Sequence, residues 1–252
     1  MATSLEGRRI VVVGASAGIG RAFAMRAIRD GAEVIVAARR TERLEALEAE
    51  AGPCSVVELD LAASDGFERL VATVAAAGPV DLVLSTAGAS PLRHLADTTP
   101  ADWEAVLRTN VSGFNELVRS MLPFVSPAAV LAAVSSESVV QPREGLAAYA
   151  ASKAALESSI RGWRMEHPGH RFTCIRVGAT YPTEFGAAFD GALLGPLLER
   201  WTGRGLMQEE FMDPDEVAAV LVDSLATMVA HPGVGVEDIV LRSPSAVLGA
   251  PA

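Results

Sequence analysis

The sequence predicts an α/β fold: one domain with a doubly wound central parallel sheet and helices on both faces. Three observations predict it. Short, continuously apolar runs rich in Val and Ile recur along the chain, as suits strands buried on both faces. Between them lie segments with apolar residues at helical spacing, and strand-helix alternation implies right-handed crossovers and a parallel sheet. No stretch is long or polar enough for an interdomain linker and no short-period repeat is present, so residues 1–252 read as a single domain.

The elements follow in order. Arg8 to Val13 is the first strand, ending at Gly14. Arg21 to Asp30 carries Phe23, Ala24, Ala27 and Ile28 at helical spacing and stops at Gly31. Ala32 to Ala38 is the second strand, followed by Thr41 to Glu50, a run of strong helix formers with leucines three apart. Further strands are expected over Ser55–Leu59, Val80–Ser85, Ala128–Ser135 and Arg171–Val177, with helices over Phe67–Ala76, Ala101–Met121 and Ala147–Arg164. The segment Glu184–Met212 breaks the alternation, because Gly186, Gly191, Gly195, Gly203 and Gly205 interrupt its Phe, Leu, Trp and Met residues. It reads as a substrate-binding lid or as a partly ordered helical hairpin. Asp213-Pro-Asp then starts a helix over Pro214–Val229, and Ile239–Arg242 is the last strand.

Half the residues are apolar, ample for a core, and the formal net charge of -10 argues against binding nucleic acid or anionic lipid. The start MATSLEGRRI leads into an apolar run too short and too glycine-rich for a signal peptide or membrane span, so a cytoplasmic protein is expected. Cys54 and Cys174 lack CxxC spacing, which points to buried free thiols rather than a metal site or disulfide framework.

Gly14-Ala-Ser16-Ala-Gly18-Ile19-Gly20 lies between the first strand and first helix. There a close backbone turn can aim helix N-terminal amides at a pyrophosphate. The spacing is GxxxGxG rather than GxGxxG, and by itself it serves either nucleotide binding or tight helix-on-sheet packing. The turn resembles the GxxxGIG turn of the short-chain dehydrogenase/reductase family, whose members have a Rossmann fold and bind NAD or NADP. The resemblance implies that Gly14, Ser16, Gly18, Ile19 and Gly20 contact the coenzyme.

Family members that use NAD carry an acidic residue at the end of the second strand, where a carboxylate binds ribose hydroxyls and repels a phosphate. This chain has Ala37-Ala38-Arg39-Arg40. A guanidinium forks onto a 2′-phosphate, so Arg39, with Arg40 as second contact, points to NADP(H), NAD(H) remaining a second option. As plain surface charges the same pair would simply begin a helix. Asp60 and Leu61 match the family's adenine-contacting pair. Ala87 and Gly88 match the end of its NNAG motif, with Ser85 and Thr86 in place of the two asparagines.

Tyr149-Ala-Ala-Ser-Lys153 puts a phenol and an ammonium one helical turn apart on one face. Alone the pair is weak evidence. Ser136, 13 residues before Tyr149, and Asn110 complete a match to the family's Asn-Ser-Tyr-Lys tetrad. Ser135 and Ser138 are the neighbouring competitors for Ser136. The resemblance implies that Tyr149 exchanges a proton with a ketone or alcohol oxygen while Ser136 holds that oxygen. It further implies that Lys153 binds the nicotinamide ribose and depresses the phenol pKa, and that Asn110 positions a water. Past the next strand, Gly178 matches the family's coenzyme-adjacent loop, and Thr183 or Thr180 its carboxamide-binding threonine.

The apolar side chains of the lid segment suggest a small, uncharged, hydrophobic ketone or secondary alcohol as substrate. By analogy a homodimer or homotetramer is expected. A coenzyme-binding regulatory protein without turnover is the rival reading, disfavoured by the four tetrad residues, because a sensor needs the glycine turn and not the phenol.

Overall fold

The structure is a computed structural model that describes residues 4–187 and 189–249. In chain order its elements are β1 (Arg9–Val13), α1 (Gly18–Arg29), β2 (Glu33–Ala38), α2 (Thr41–Ala51), β3 (Ser55–Glu58), α3 (Asp65–Ala77) and β4 (Val80–Ser85). Then come α4 (Pro100–Leu107), a π-helical turn (Arg108–Ser112), α5 (Gly113–Met121), β5 (Val125–Ser136), α6 (Ala147–Glu166) and β6 (Arg171–Val177). The chain closes with α7 (Gly191–Gly203), α8 (Pro214–Ala230) and β7 (Asp238–Leu241).

The strands form one seven-stranded sheet in the order β3-β2-β1-β4-β5-β6-β7, parallel throughout. Period-two geometry divides β1 between two cores. Ile10 and Val12 pack with α1, α2 and α8, burying Phe23, Leu44, Leu47, Leu221 and Leu225. Val11 and Val13 pack with α3, α5 and α6, burying Leu70, Leu117 and Leu156. Successive strands run one way from β1 to β3 and the other way from β4 onward. That reversal opens a crevice at the carboxyl ends of β1 and β4, where ligands of open α/β sheets bind.

Most predicted termini fall within three residues of those observed, and the differences have local causes. The first helix begins at Gly18 rather than Arg21, so the glycine turn supplies the first helical turn. Helix α4 starts at Pro100, capped by Thr99 in a reciprocal box with Asp102. The helix expected over Ala101–Met121 is interrupted by the π turn. Strand β5 begins three residues earlier than expected and crosses a bulge opposite Val80 and Leu82, with Ala128 at φ 59°. The carbonyl of Ala128 accepts from Arg171 Nε at 2.8 Å, which holds this conformation.

The lid segment contains the ordered helix α7, started by Asp190, whose carboxylate accepts from Ala192 N. Leu197, Trp201 and Met207 are buried with Leu92 and Leu146 in a third apolar cluster outside the two sheet cores. Much of the apolar content read as pocket wall therefore packs the segment onto the domain. Cys174 is buried as expected, whereas Cys54 is half-buried. Burial pushes both thiols up, to about 12 and about 11 respectively. Among the described residues no helix is long and apolar enough to cross a membrane, and no His, Cys, Asp and Glu cluster has the makings of a metal site.

Candidate active site

The crevice begins with the glycine turn. Gly14 sits at φ +90° and Gly18 at φ +53°, the left-handed region that favours glycine. A Cβ on Gly14 would lie 2.7 Å from the Ala87 nitrogen, and one on Gly20 would lie 2.4 Å from the Gly14 carbonyl oxygen. Thr86, the substituted NNAG position, ties the turn to β4 by donating from Oγ1 to the Val13 carbonyl at 3.1 Å. Helix α1 has no side-chain cap, so its first amides are presented to the crevice unshielded.

The four tetrad residues come from three elements and converge beside this turn. Asn110 is 2 % exposed within the π turn. Its Oδ1 accepts from Ala89 N at 2.8 Å, while Nδ2 donates to the Ala89 carbonyl at 2.8 Å and to Ser152 Oγ at 2.9 Å. The side chain thus pins the loop after β4 to α6, and the π turn marks a helix deformed for a local purpose. The water-positioning role inferred from resemblance finds both amide hydrogens already committed.

Ser136 ends β5, with its Oγ accepting from Ser138 N at 3.1 Å and Ser138 Oγ at 2.9 Å. The competitor Ser135 points the other way and donates to Glu157 at 2.7 Å. Tyr149 is 8 % exposed, and Lys153 Nζ lies 5.8 Å from its ring centre. Lys153 donates to the Val134 carbonyl at 2.8 Å. A Cβ on Gly88 would come within 3.3 Å of Nζ, so the backbone of the loop after β4 lies close against the ammonium.

Burial dominates the electrostatics. It pushes the Tyr149 phenol up to about 12, against the lowering effects of a hydrogen bond with Ser136 and the nearby Arg143 charge. It pulls the Lys153 ammonium down to about 8, against the raising effects of Cys174 and Glu157. Glu157 lies one turn beyond Lys153, its carboxylate held by Arg176 at 2.7 and 2.6 Å. Nothing in the tetrad motif announces it, although Tyr149, Lys153 and Glu157 recur at four-residue intervals on one helix face.

The remaining predicted contacts divide. Ala87 adjoins the glycine turn, and the Thr183 methyl lies 3.4 Å from where a Gly18 Cβ would be. Thr180 instead donates to the Gly178 carbonyl at 3.1 Å. Gly178 closes on β7 and on Glu137, its amide donating to the Leu241 carbonyl at 2.9 Å. Asp60 accepts from Ala62 N at 2.9 Å, shaping the turn after β3, and Leu61 is buried against Gly113. Arg39, the preferred phosphate contact, is exposed and without a hydrogen bond or ion pair among the described residues. Arg40, the second choice, reaches the glycine turn and donates to Ser16 Oγ at 3.1 Å.

Several site residues carry no sequence signal. Glu137, next to Ser136, forms a buried ion pair with Arg143, which also donates to the Leu206 carbonyl at 2.9 Å. Phe185 packs its ring 4.8 Å from that of Tyr149 and 5.4 Å from that of Phe189, covering the phenol from the segment after β6.

Known proteins resemble this chain in sequence and fold. The family model described as short chain dehydrogenase matches residues 8–193. An oxidoreductase of Myxococcus xanthus is 37% identical over 185 residues, 69% of this chain and 71% of that one. Glycine betaine reductase ATRR of Emericella nidulans is 29% identical over 230 residues, and this chain spans only 18% of that protein's length. Among solved structures, a short chain dehydrogenase from Burkholderia cenocepacia in complex with NADP superposes with a TM-score of 0.78 at 26% identity, covering 94% of this chain and 97% of that one. The match spans both the glycine turn and the Asn110, Ser136, Tyr149 and Lys153 positions, so the chain belongs to the short chain dehydrogenases, a family of oxidoreductases.

Proposed function

We propose that this protein interconverts a ketone and a secondary alcohol with NADP(H), on a small and largely apolar substrate. The observation that carries the reading is the convergence of buried Ser136, Tyr149 and Lys153 beside a glycine turn that leaves no room for a Cβ at Gly14 or Gly20. The cradle fits a dinucleotide: the uncapped start of α1 offers amides for a pyrophosphate, and Arg40 on Ser16 offers a guanidinium for a 2′-phosphate. The NADP complex of the Burkholderia cenocepacia relative supports the phosphorylated coenzyme. Gly14, Ser16, Gly18, Ile19, Gly20, Ala87 and Gly88 would line the coenzyme, with Thr183 above it.

The coenzyme, when bound, supplies or accepts the hydride. The residues of this chain handle the oxygen and its proton. A phenol held near 12 keeps its hydrogen across the neutral range and can donate it from Oη to a carbonyl oxygen. The Ser136 hydroxyl, oriented by Ser138, hydrogen-bonds the same oxygen. Lys153 supplies the positive charge that steadies a phenolate once the proton has left. Phe185 and Phe189 shield the phenol from water and favour an apolar substituent next to it.

The test is NADPH and NADH oxidation over a panel of hydrophobic ketones, with wild type beside Tyr149→Phe. Turnover with NADPH should fall by roughly 10²- to 10⁴-fold in the variant while coenzyme binding persists. Full activity of the variant would refute the assignment of Tyr149.

A further inference from the structure

We propose that Glu184 is a built-in competitor for the coenzyme's 2′-phosphate and thereby sets how strongly the protein prefers NADP(H) over NAD(H). The inference rests on the coenzyme reading above and adds a residue that no motif assigns.

Glu184 belongs to the segment after β6, yet its carboxylate lies between two guanidiniums at the start of α2. Arg40 Nη2 is 2.5 Å from one carboxylate oxygen, and Arg43 Nη1 pairs with the other. The same Arg40 nitrogen donates to Ser16 Oγ in the glycine turn. Arg43 and Glu184 are 141 residues apart in the chain, so this is a tertiary contact across the crevice and not a helix-face pair. A cavity of about 350 Å³ adjoins the triad, bounded by Ser16, Gly18, Arg43, Thr183 and Glu184.

Carboxylate and phosphate present the same two-oxygen face to a guanidinium, so one occupant excludes the other. Glu184 is ionised at neutral pH, because hydrogen bonds from Arg40 and Arg43 hold its carboxyl below the usual range. Its side chain is 37% exposed, and exposed pairs of this kind are weak. A dianionic phosphate can therefore take Arg40 from it, but must first displace it and then lie beside its charge. NAD(H) carries only an uncharged 2′-hydroxyl at that position, needs neither guanidinium and meets no such competition. The two arginines attract the phosphate, and Glu184 opposes part of that attraction.

The experiment uses the full chain, wild type and Glu184→Gln, with calorimetric binding of adenosine 2′,5′-bisphosphate, adenosine 5′-monophosphate, NADPH and NADH. Loss of the two exposed charge pairs that Glu184 makes corresponds to about a 3- to 10-fold tightening of both 2′-phosphorylated ligands, with the other two within about twofold. The gain should shrink when Arg40→Gln is added and vanish when Arg40→Gln and Arg43→Gln are both added. Glutamine is nearly isosteric on an exposed site, so misfolding does not complicate the comparison. Unchanged 2′-phosphate binding in Glu184→Gln would overturn the competition. Weaker binding would also overturn it, by making Glu184 a clamp over bound coenzyme. A wild type that binds none of the four ligands would instead refute the coenzyme reading and this inference with it.

Discussion

The wall that carries the proposed proton-transfer residues and the segment after β6 face each other across one crevice and are held in opposite ways. Asn110, Ser136, Tyr149 and Lys153 are each more than nine-tenths buried, on a π turn, a strand end and a twenty-residue helix. Their polar atoms are fixed largely by backbone carbonyls and amides. Across from them, Glu184 is held by exposed ion pairs to Arg40 and Arg43, and Phe185 and Phe189 by contacts between aromatic rings. Burial is the largest cause of the shifted pKa values of Tyr149 and Lys153, so the proposed proton chemistry sits on the rigid side. Coenzyme and substrate must enter and leave, so the covering side is built from contacts that are individually weak.

Three experiments can break or sharpen that contrast. The largest effect is expected from Lys153→Met, which removes the ammonium beside Tyr149. The reductive kcat/KM should drop by roughly 10²- to 10⁴-fold in steady-state assays. A drop below tenfold would mean that the rigid wall is not where the proton is managed. Next is Leu197→Ala, which opens a cavity in the third cluster at a fully buried position. A loss of about 2–5 kcal/mol is expected, read by hydrogen exchange over 191–207, with β4, β5 and α6 keeping their protection. Equal loss of protection in those elements would show the covering segment and the wall to be one cooperative unit.

The smallest effect is in the pH profile. Lys153, pulled down to about 8, is cationic below that pH and neutral above it. The reductive kcat/KM should be level near neutrality and fall as pH rises past about 8, since this parameter reports groups of the free enzyme. Tyr149, near 12, cannot produce that limb. Persistence of the same limb in Lys153→Met would assign it to another group.

Much of this was legible in sequence because the signals are local. Val-rich runs such as Arg9–Val13 and Arg171–Val177 fit a strand buried on both faces without knowledge of their neighbours. The Asp213-Pro-Asp start of α8 works the same way, since an N-cap and a proline act within one turn. The tetrad was legible as a pattern of residue types at family spacing, and the structure brings its members together beside the glycine turn.

Local sequence pattern dictates the alternation of elements, hence the parallel sheet, its crevice and the candidate residues placed at it. Tertiary structure alone decided that Asn110 bends its helix to grip the Ala89 peptide, and that Thr86 fastens the glycine turn. It alone put Arg40 rather than Arg39 on Ser16, and set Glu184 between Arg40 and Arg43. It also formed α7 within the glycine-broken segment, because Leu197 and Trp201 pack against Leu92 and Leu146. Periodicity and caps act over a few residues and so leave a local trace. An ion pair or a cluster between segments far apart in the chain depends on where the crossovers deliver them, and no local pattern records that.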